Sequence, residues 1–386
     1  MKRITGFYFI LFISFVLDLA SYNRLYGQIE NIPVSDNQAF IIDSKILKEQ
    51  RNIWIHLPAN YNTSIQRYPV LYLLDGEGHF KYVSELTDYL SGYDRNRTPE
   101  MIVVAIVNVN RSRDFTPEKK LSNTSDETHG NYKFFQFVQN ELVPHIDKHY
   151  KTQPYRVLCG HSLAGLFSLY AQSLNPDLFQ ASILMSPVVL YGENRDLLNQ
   201  YHSTLNKHTY LSEKMFITLG DEDPKNTDAL KNLLNAYAPP HLTWKFQKYN
   251  DENHFSVTYK SFYDGLKFIY QNWFIDNYNP VIQSYAELQM HFDKLSDEFG
   301  YKTIPPEDLV NNLGYKQLRS GNIEEAIQFF RENIHNYPGS WNAYDSMGEA
   351  YLKKGDKKSA IENYKKSVSI NPDNTEGKKI LQQLEK

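Results

Sequence analysis

Ser162 lies in Gly160-His161-Ser162-Leu163-Ala164-Gly165, between the apolar run Tyr155–Cys159 and the helix-like stretch Leu166–Gln172. A serine among small residues at a strand-to-helix turn has the pattern of a nucleophile elbow. Such a turn holds the hydroxyl exposed and aims backbone N–H groups at a reacting carbonyl. Gly160 lets the chain turn sharply before the serine, and Ala164-Gly165 lets the next helix approach a neighbouring strand. The chemistry on offer is attack of a serine alcohol on an acyl carbon.

A serine hydroxyl is a weak nucleophile until a histidine takes its proton, and that histidine needs an acid to hold its tautomer. When the serine sits on an elbow, its partners follow in the order acid, then histidine. The apolar run Met215–Leu219 ends in Gly220-Asp221-Glu222-Asp223, and open α/β sheets place their chemistry just past the C-terminal ends of strands. Asp223, three residues past the glycine, is the favoured acid over Glu222 and Asp221. His254 is the expected base. Of twelve histidines it alone directly follows the last strand-like run, and it precedes the amphipathic stretch Val257–Tyr270. His161, next to the serine, is read as lining the pocket, because adjacent side chains on an elbow diverge. Two backbone donors must face the charge that develops on a tetrahedral intermediate. One is the N–H of Leu163. The other is assigned to Glu77, in the flexible segment Asp75-Gly76-Glu77-Gly78 after Pro69–Leu74, and only its amide is invoked.

These residues need a sheet to carry them. Between Ala39 and about Trp273, seven short runs alternate with helical patterns: Asn52–Leu57, Pro69–Leu74, Met101–Val109, Tyr155–Cys159, Ala181–Met185, Lys214–Leu219 and Leu242–Gln247. Several are continuously apolar, as strands covered on both faces are, so the fold class is α/β with a mostly parallel sheet and helices on both faces. Tyr132–Tyr150 has helical spacing and reads as the crossover before the serine strand. Residues 280–304 read as a helical connection, with Ala286–Leu295 amphipathic. Beyond Pro305-Pro306 the chain repeats itself: Gly314, Gly321, Ala326, Phe330 and Pro338 recur thirty-four residues later as Gly348, Gly355, Ala360, Tyr364 and Pro372. That period, with small residues where paired helices cross, resembles tetratricopeptide repeats. Two repeats fall short of the roughly three needed for independent stability. The small all-α unit is therefore expected to lean on the 280–304 helices or on the α/β domain, with Asp373–Lys386 as its capping helix.

At 386 residues, 41% of them hydrophobic, the chain can bury a large core, and a formal charge of −4 with no long basic block argues against nucleic acid as a partner. Met1-Lys2-Arg3 followed by the apolar run Phe7–Leu17 suits a signal peptide cut near Gly27-Gln28 and is short for a bilayer span. Export to the periplasm or the medium is expected. The single cysteine, Cys159, excludes an intramolecular disulfide and a zinc cluster and is read as core packing. No cofactor or metal is called for.

Together, Arg51–Pro58, Tyr68–Gly76, Asn110–Pro117, Gly160–Gly165 and His254 resemble the esterase D and enterochelin-esterase family of α/β-hydrolases, over roughly residues 38–275. The resemblance implies ester or thioester hydrolysis by Ser162 and His254, with oxyanion donors at Glu77 and Leu163. It implies a small-molecule ester as substrate: acyl esters of sugars or aromatic acids, or a siderophore lactone. Ala164 departs from the family's usual glycine, and the acid varies among members. Arg111, Arg113 and Asp114 recur in the family's loop after the fourth strand. An ion pair bracing that loop is the favoured reading, and recognition of an acidic substrate by Arg111 and Arg113 is the rival. The expected division is a leader over 1–27, an esterase domain over 28–278, a helical connector over 279–304 and a repeat domain over 305–386. Two other readings stand beside hydrolysis. One is acyl transfer to an alcohol by the same nucleophile, as in the related mycolyltransferases. The other is a silent hydrolase scaffold whose repeats bind a protein partner or a second copy.

Overall fold

The structure is a computed structural model that describes residues 37–59, 61–62, 64–92, 95–117, 130–191, 195–205, 213–275 and 281–386. The apolar run Phe7–Leu17 and the expected cut near Gly27-Gln28 lie outside the described residues. Residues Gln38–Lys386 form one compact unit.

Eight strands make one sheet: β1 (Asn37–Ser44), β2 (Glu49–His56), β3 (Tyr68–Leu73), β4 (Ile102–Ile106), β5 (Thr152–His161), β6 (Ala181–Met185), β7 (Glu213–Leu219) and β8 (Leu242–Lys248), in the spatial order β1-β2-β4-β3-β5-β6-β7-β8. The seven runs read from the sequence correspond to β2 through β8. The half-exposed edge strand β1 carries too weak an apolar pattern to have been among them. From β4 to β8 every neighbouring pair is parallel, while β2 runs antiparallel to β4.

Successive β3 side chains enter opposite layers. Leu71 and Leu73 pack with Phe80 and Val83 of α1 (Gly76–Ser91), whereas Val70 and Tyr72 pack with Phe134 of α3 (Gly130–Phe137) and Phe167 of α5 (Leu163–Leu174). Between them in the chain lies the five-residue α2 (Arg111–Phe115). This double covering explains the continuous apolar runs. The crossover continues from α3 through a π-helical turn, Val138–Leu142, into α4 (Val143–His149). Pro144, which has no N–H to donate, sits where the ladder changes.

After β6, β7 and β8 come α6 (Asp196–Leu205), α7 (Lys225–Tyr237) and α8 (Val257–Ile269). The rest is helical: α9 (Tyr285–Phe299), α10 (Glu307–Arg319), α11 (Ile323–Asn336), α12 (Trp341–Lys354), α13 (Lys357–Ile370) and α14 (Thr375–Leu384). The thirty-four-residue echo is a packing rule. A Cβ on Gly314 would sit 2.5 Å from the Phe330 ring, and one on Gly348 2.9 Å from that of Tyr364.

The repeat helices share the core of the α/β layer. Leu288, Phe292, Leu295 and Phe299 of α9 join Phe262 and Leu266 of α8 on one side and Leu309, Val310, Leu313 and Phe329 on the other. Buried Lys214 of β7 donates from Nζ to the carbonyl of Ile269 at 2.6 Å and pairs with Glu298 of α9. Deleting residues 305–386 would remove four fully buried apolar side chains from this core. Each is worth roughly 1.5–3 kcal/mol, and their sum is comparable to the net stability of a whole domain. The expected outcome is insoluble protein or a collapsed melting temperature. A truncated chain at full soluble yield and unchanged Tm would show that the repeats are a dispensable appendage.

Glu100, just before β4, also feels this junction. Burial, then the charges of Asp88 and Asp308, push its carboxyl from 4.5 up to about 7. Between those values the unfolded chain releases a proton that the folded chain keeps, so stability falls as pH rises from about 4.5 to about 7 and is flat outside that window. Glu100→Gln is expected to raise Tm at pH 8 and leave it unchanged at pH 4, read by thermal melts at both.

Candidate active site

Ser162 joins β5 to α5 with φ 58° and ψ −116°, a conformation that residues other than glycine rarely adopt. Its N–H donates to Met185 O at 2.9 Å, and its carbonyl accepts from Leu166 at 3.1 Å. The glycines are steric requirements. A Cβ at Gly160 would lie 2.3 Å from Ala164 O, and one at Gly165 2.9 Å from Pro187 Cβ. Backbone strain of this kind costs of order 1–3 kcal/mol and persists only when its surroundings enforce it. Cys159, at the end of the same strand, is fully buried, and burial pushes its thiol up, out of reach of ordinary thiolate chemistry.

His254 arrives from β8, three strands away in the sheet, by a loop that runs back over the end of β7. Tyr249 N–H donates to Leu219 O at 2.8 Å, and Asp221 N–H to Glu252 O at 2.6 Å. A Cβ on Gly220 would meet the Asn253 carbonyl at 2.8 Å, so glycine allows this close pass. The loop ends against β5, where His161 Nε2–H donates to the carbonyl of His254 at 2.6 Å and the two rings lie 4.7 Å apart. His254 Nδ1–H donates to Glu222 Oε2 at 2.7 Å, and Glu222 Oε1 accepts from Ser186 Oγ–H at 2.5 Å. With Nδ1 committed, Nε2 is the ring nitrogen left for proton transfer.

The structure corrects the expected acid. Asp223 is exposed, past the turn, and its Oδ1 accepts from the N–H of Lys225 at 3.0 Å at the start of α7; Asp221 is exposed and pairs with Lys248 at 3.3 Å. Glu222, one of the alternatives, is the carboxylate at the histidine. Asp221 is pinned to the Glu252 carbonyl, so the next residue is the one that faces His254.

Leu163 and Glu77 both lie in first turns, of α5 and α1, where amide hydrogens lack partners within the helix. β3 and β5 are adjacent and parallel, so these two helix starts stand side by side at one edge of the sheet. Asp75, the left-handed residue before α1, is held by Arg111 through Nε at 2.7 Å and Nη2 at 2.9 Å, and by Asn108 Nδ2 at 2.7 Å. Arg111 Nη2 also donates to His161 O at 3.1 Å, tying the two turns together. The Glu77 carboxylate accepts from the Asn108 N–H and Nδ2, so only the amide of Glu77 is left to face a substrate.

Arg113 is placed elsewhere. It binds Glu49 through two nitrogens, at 2.9 and 2.6 Å, and Asp114 at 2.8 Å, while buried Arg51 grips Asp114 at 2.6 Å. Arg111 and Arg113 thus each have carboxylate partners, Asp75 for the first and Glu49 with Asp114 for the second. His161 is buried, as a wall residue would be, but its polar edge is turned to the His254 carbonyl.

The family model described as "Putative esterase" matches residues 44–271, more than half of the chain. The chain belongs to this esterase family. The esterase is a carboxylic ester hydrolase, and a tetratricopeptide-repeat model matches residues 342–374. It is similar to the ferri-bacillibactin esterase BesA of Bacillus subtilis, 32% identical over 148 residues, which cover 33% of this chain and 50% of that one. Among solved structures it is similar to an IroE-like serine hydrolase from Shewanella oneidensis, with 28% identity and a TM-score of 0.67 over 78% of this chain and 99% of that one. An uncharacterised protein from Capnocytophaga ochracea shares the fold over 90% of this chain and 99% of its own, with a TM-score of 0.60 at 18% identity.

Ser186, Asp75 and Asn108 escaped the sequence reading of the esterase. Ser186 follows β6, which lies between β5 and β7 in the sheet and so places this residue between serine and acid. For Asp75 and Ser186 a polar residue directly after an apolar run was the available signal, whereas Asn108 lies inside the run Met101–Val109.

Proposed function

We propose that the esterase is exported and cleaves small-molecule carboxylic esters through an acyl-enzyme on Ser162. His254 Nε2 takes the Ser162 proton as Oγ attacks the ester carbonyl. The N–H groups of Leu163 and Glu77 hold the oxyanion while Glu222 stabilises the imidazolium. Collapse expels the alcohol, which receives the proton from His254. Water, deprotonated by the same nitrogen, then attacks the acyl carbon, and the acid departs as Ser162 regains its proton. The observation that carries this reading is the Glu222–His254 pair brought by a closed loop against the residue next to a positive-φ serine.

The likeness to BesA makes siderophore esters the first substrates to try, and the repeat helices offer a surface for a protein partner or a second copy. The test is release of p-nitrophenol from its acetate and butyrate esters, combined with fluorophosphonate labelling and identification of the modified peptide. Turnover with the label on Ser162 is expected. A label on any other residue would overturn the assignment.

A further inference from the structure

We propose that His161 is a positioning residue for the base: its side chain holds the His254 loop against the elbow, so that His254 Nε2 stays aimed at Ser162 Oγ. The inference rests on the reading of Ser162 and His254 as nucleophile and base. The residue before a nucleophilic serine has its backbone fixed by the elbow, so whatever its side chain grips is registered to the serine itself. His161 grips the main chain of the base. Its Nε2–H donates to the His254 carbonyl at 2.6 Å, a bond that fixes the tautomer because a carbonyl can only accept.

Among the described residues, no other hydrogen bond joins the His254 loop to β5. The loop's other anchors lie over β7, at Leu219, Gly220 and Asp221, or on α8, where Lys260 pairs with Asp251 and Glu252 and Asp264 accepts from the Tyr249 hydroxyl. The Glu222 bond sets the ring's rotation about that loop, but not the distance of the loop from β5. His161 supplies that distance.

The choice of histidine has a second consequence. Burial, then the neighbouring His254, hold its pKa down at about 4, so the ring is neutral when the enzyme works. Each proton transfer creates an imidazolium at His254, with ring centroids only 4.7 Å apart. A cationic donor in this place would oppose that charge; a neutral N–H does not. Through its own carbonyl, which accepts from Arg111, His161 also meets the group that holds Asp75 at the start of α1. One residue therefore touches the base loop by its side chain and is linked through Arg111 to the turn before α1 by its main chain.

The test compares His161→Leu, which keeps bulk and loses the donor, with His161→Gln, whose amide nitrogen reaches about as far as Nε2. With p-nitrophenyl acetate, leucine is expected to lower kcat about 10- to 100-fold with KM within about threefold, and to slow fluorophosphonate labelling of Ser162 by the same factor. Glutamine is expected to restore both to within about fivefold. Circular dichroism and Tm of each variant establish that it is folded. If leucine destabilises the fold, the glutamine variant still decides. A folded His161→Gln protein slowed 10-fold or more, or a leucine variant at wild-type kcat, overturns the positioning role while leaving the esterase reading intact. Failure of that reading looks different: wild-type protein would turn over no ester and take no label at Ser162.

Discussion

Ser162→Ala is expected to lower kcat for p-nitrophenyl butyrate by roughly ten thousand- to a million-fold, leaving only what oxyanion donors and binding supply. What makes the expectation specific to this structure is the accompanying change in stability. Ser162 has φ 58° and ψ −116°, the mirror image of an ordinary extended conformation, which glycine adopts freely and alanine does not. Alanine therefore inherits the strain, and its Tm should match wild type. Ser162→Gly releases strain of order 1–3 kcal/mol against an entropic cost of about 0.5–1 kcal/mol. It should melt higher than the alanine variant by an amount worth about 1 kcal/mol while being equally inactive. Activity and stability would then move in opposite directions when the Ser162 side chain is removed. Undiminished turnover by either variant would remove Ser162 from the mechanism, and a glycine variant less stable than alanine would contradict the strained elbow.

What could be read in the sequence was whatever a short stretch of chain decides for itself. The strand-turn-helix pattern around Ser162 is local, and so are the amides of Leu163 and Glu77, because a helix start exposes its first N–H groups wherever it sits. The order of serine, acid and histidine along the chain placed His254 by topology. The repeat was legible because Gly314 and Gly348 answer the same steric demand. Choosing among Asp221, Glu222 and Asp223 was beyond local reasoning, since the choice depends on where the loop from β8 crosses the end of β7. The bond from Asp221 to Glu252 joins residues far apart in sequence and determines which carboxylate faces the imidazole. The fates of Arg111 and Arg113 were hidden for a related reason. In α2, two residues apart means about 200° around the helix axis, so one reaches Asp75 and the other Glu49. The shared core of repeats and sheet was visible only as two alternatives, because an apolar helix face does not name its partner.

The acid is where the structure and the spacing argument part, and a pair of isosteric variants separates them. Glu222→Gln keeps the shape of the side chain and removes the charge that holds His254 Nδ1–H and, in the proposed mechanism, steadies the imidazolium. The amide can also present its NH2 to the ring and favour the wrong tautomer. Losses of about a hundred- to ten-thousand-fold in kcat follow from comparable changes in such triads. Asp223→Asn should change kcat less than threefold. Asparagine can still accept from the N–H of Lys225, and position 223 is exposed. Ser186→Ala gives a graded third point. It strips one of the two donors from Glu222 but leaves the carboxylate charged, so a loss of about tenfold or less is expected. The ordering Glu222→Gln far below Ser186→Ala, itself below Asp223→Asn, is what the geometry requires. If Asp223→Asn were the crippled variant and Glu222→Gln retained activity, the loop from β8 would have to close differently during turnover, carrying His254 away from the carboxylate that meets it here.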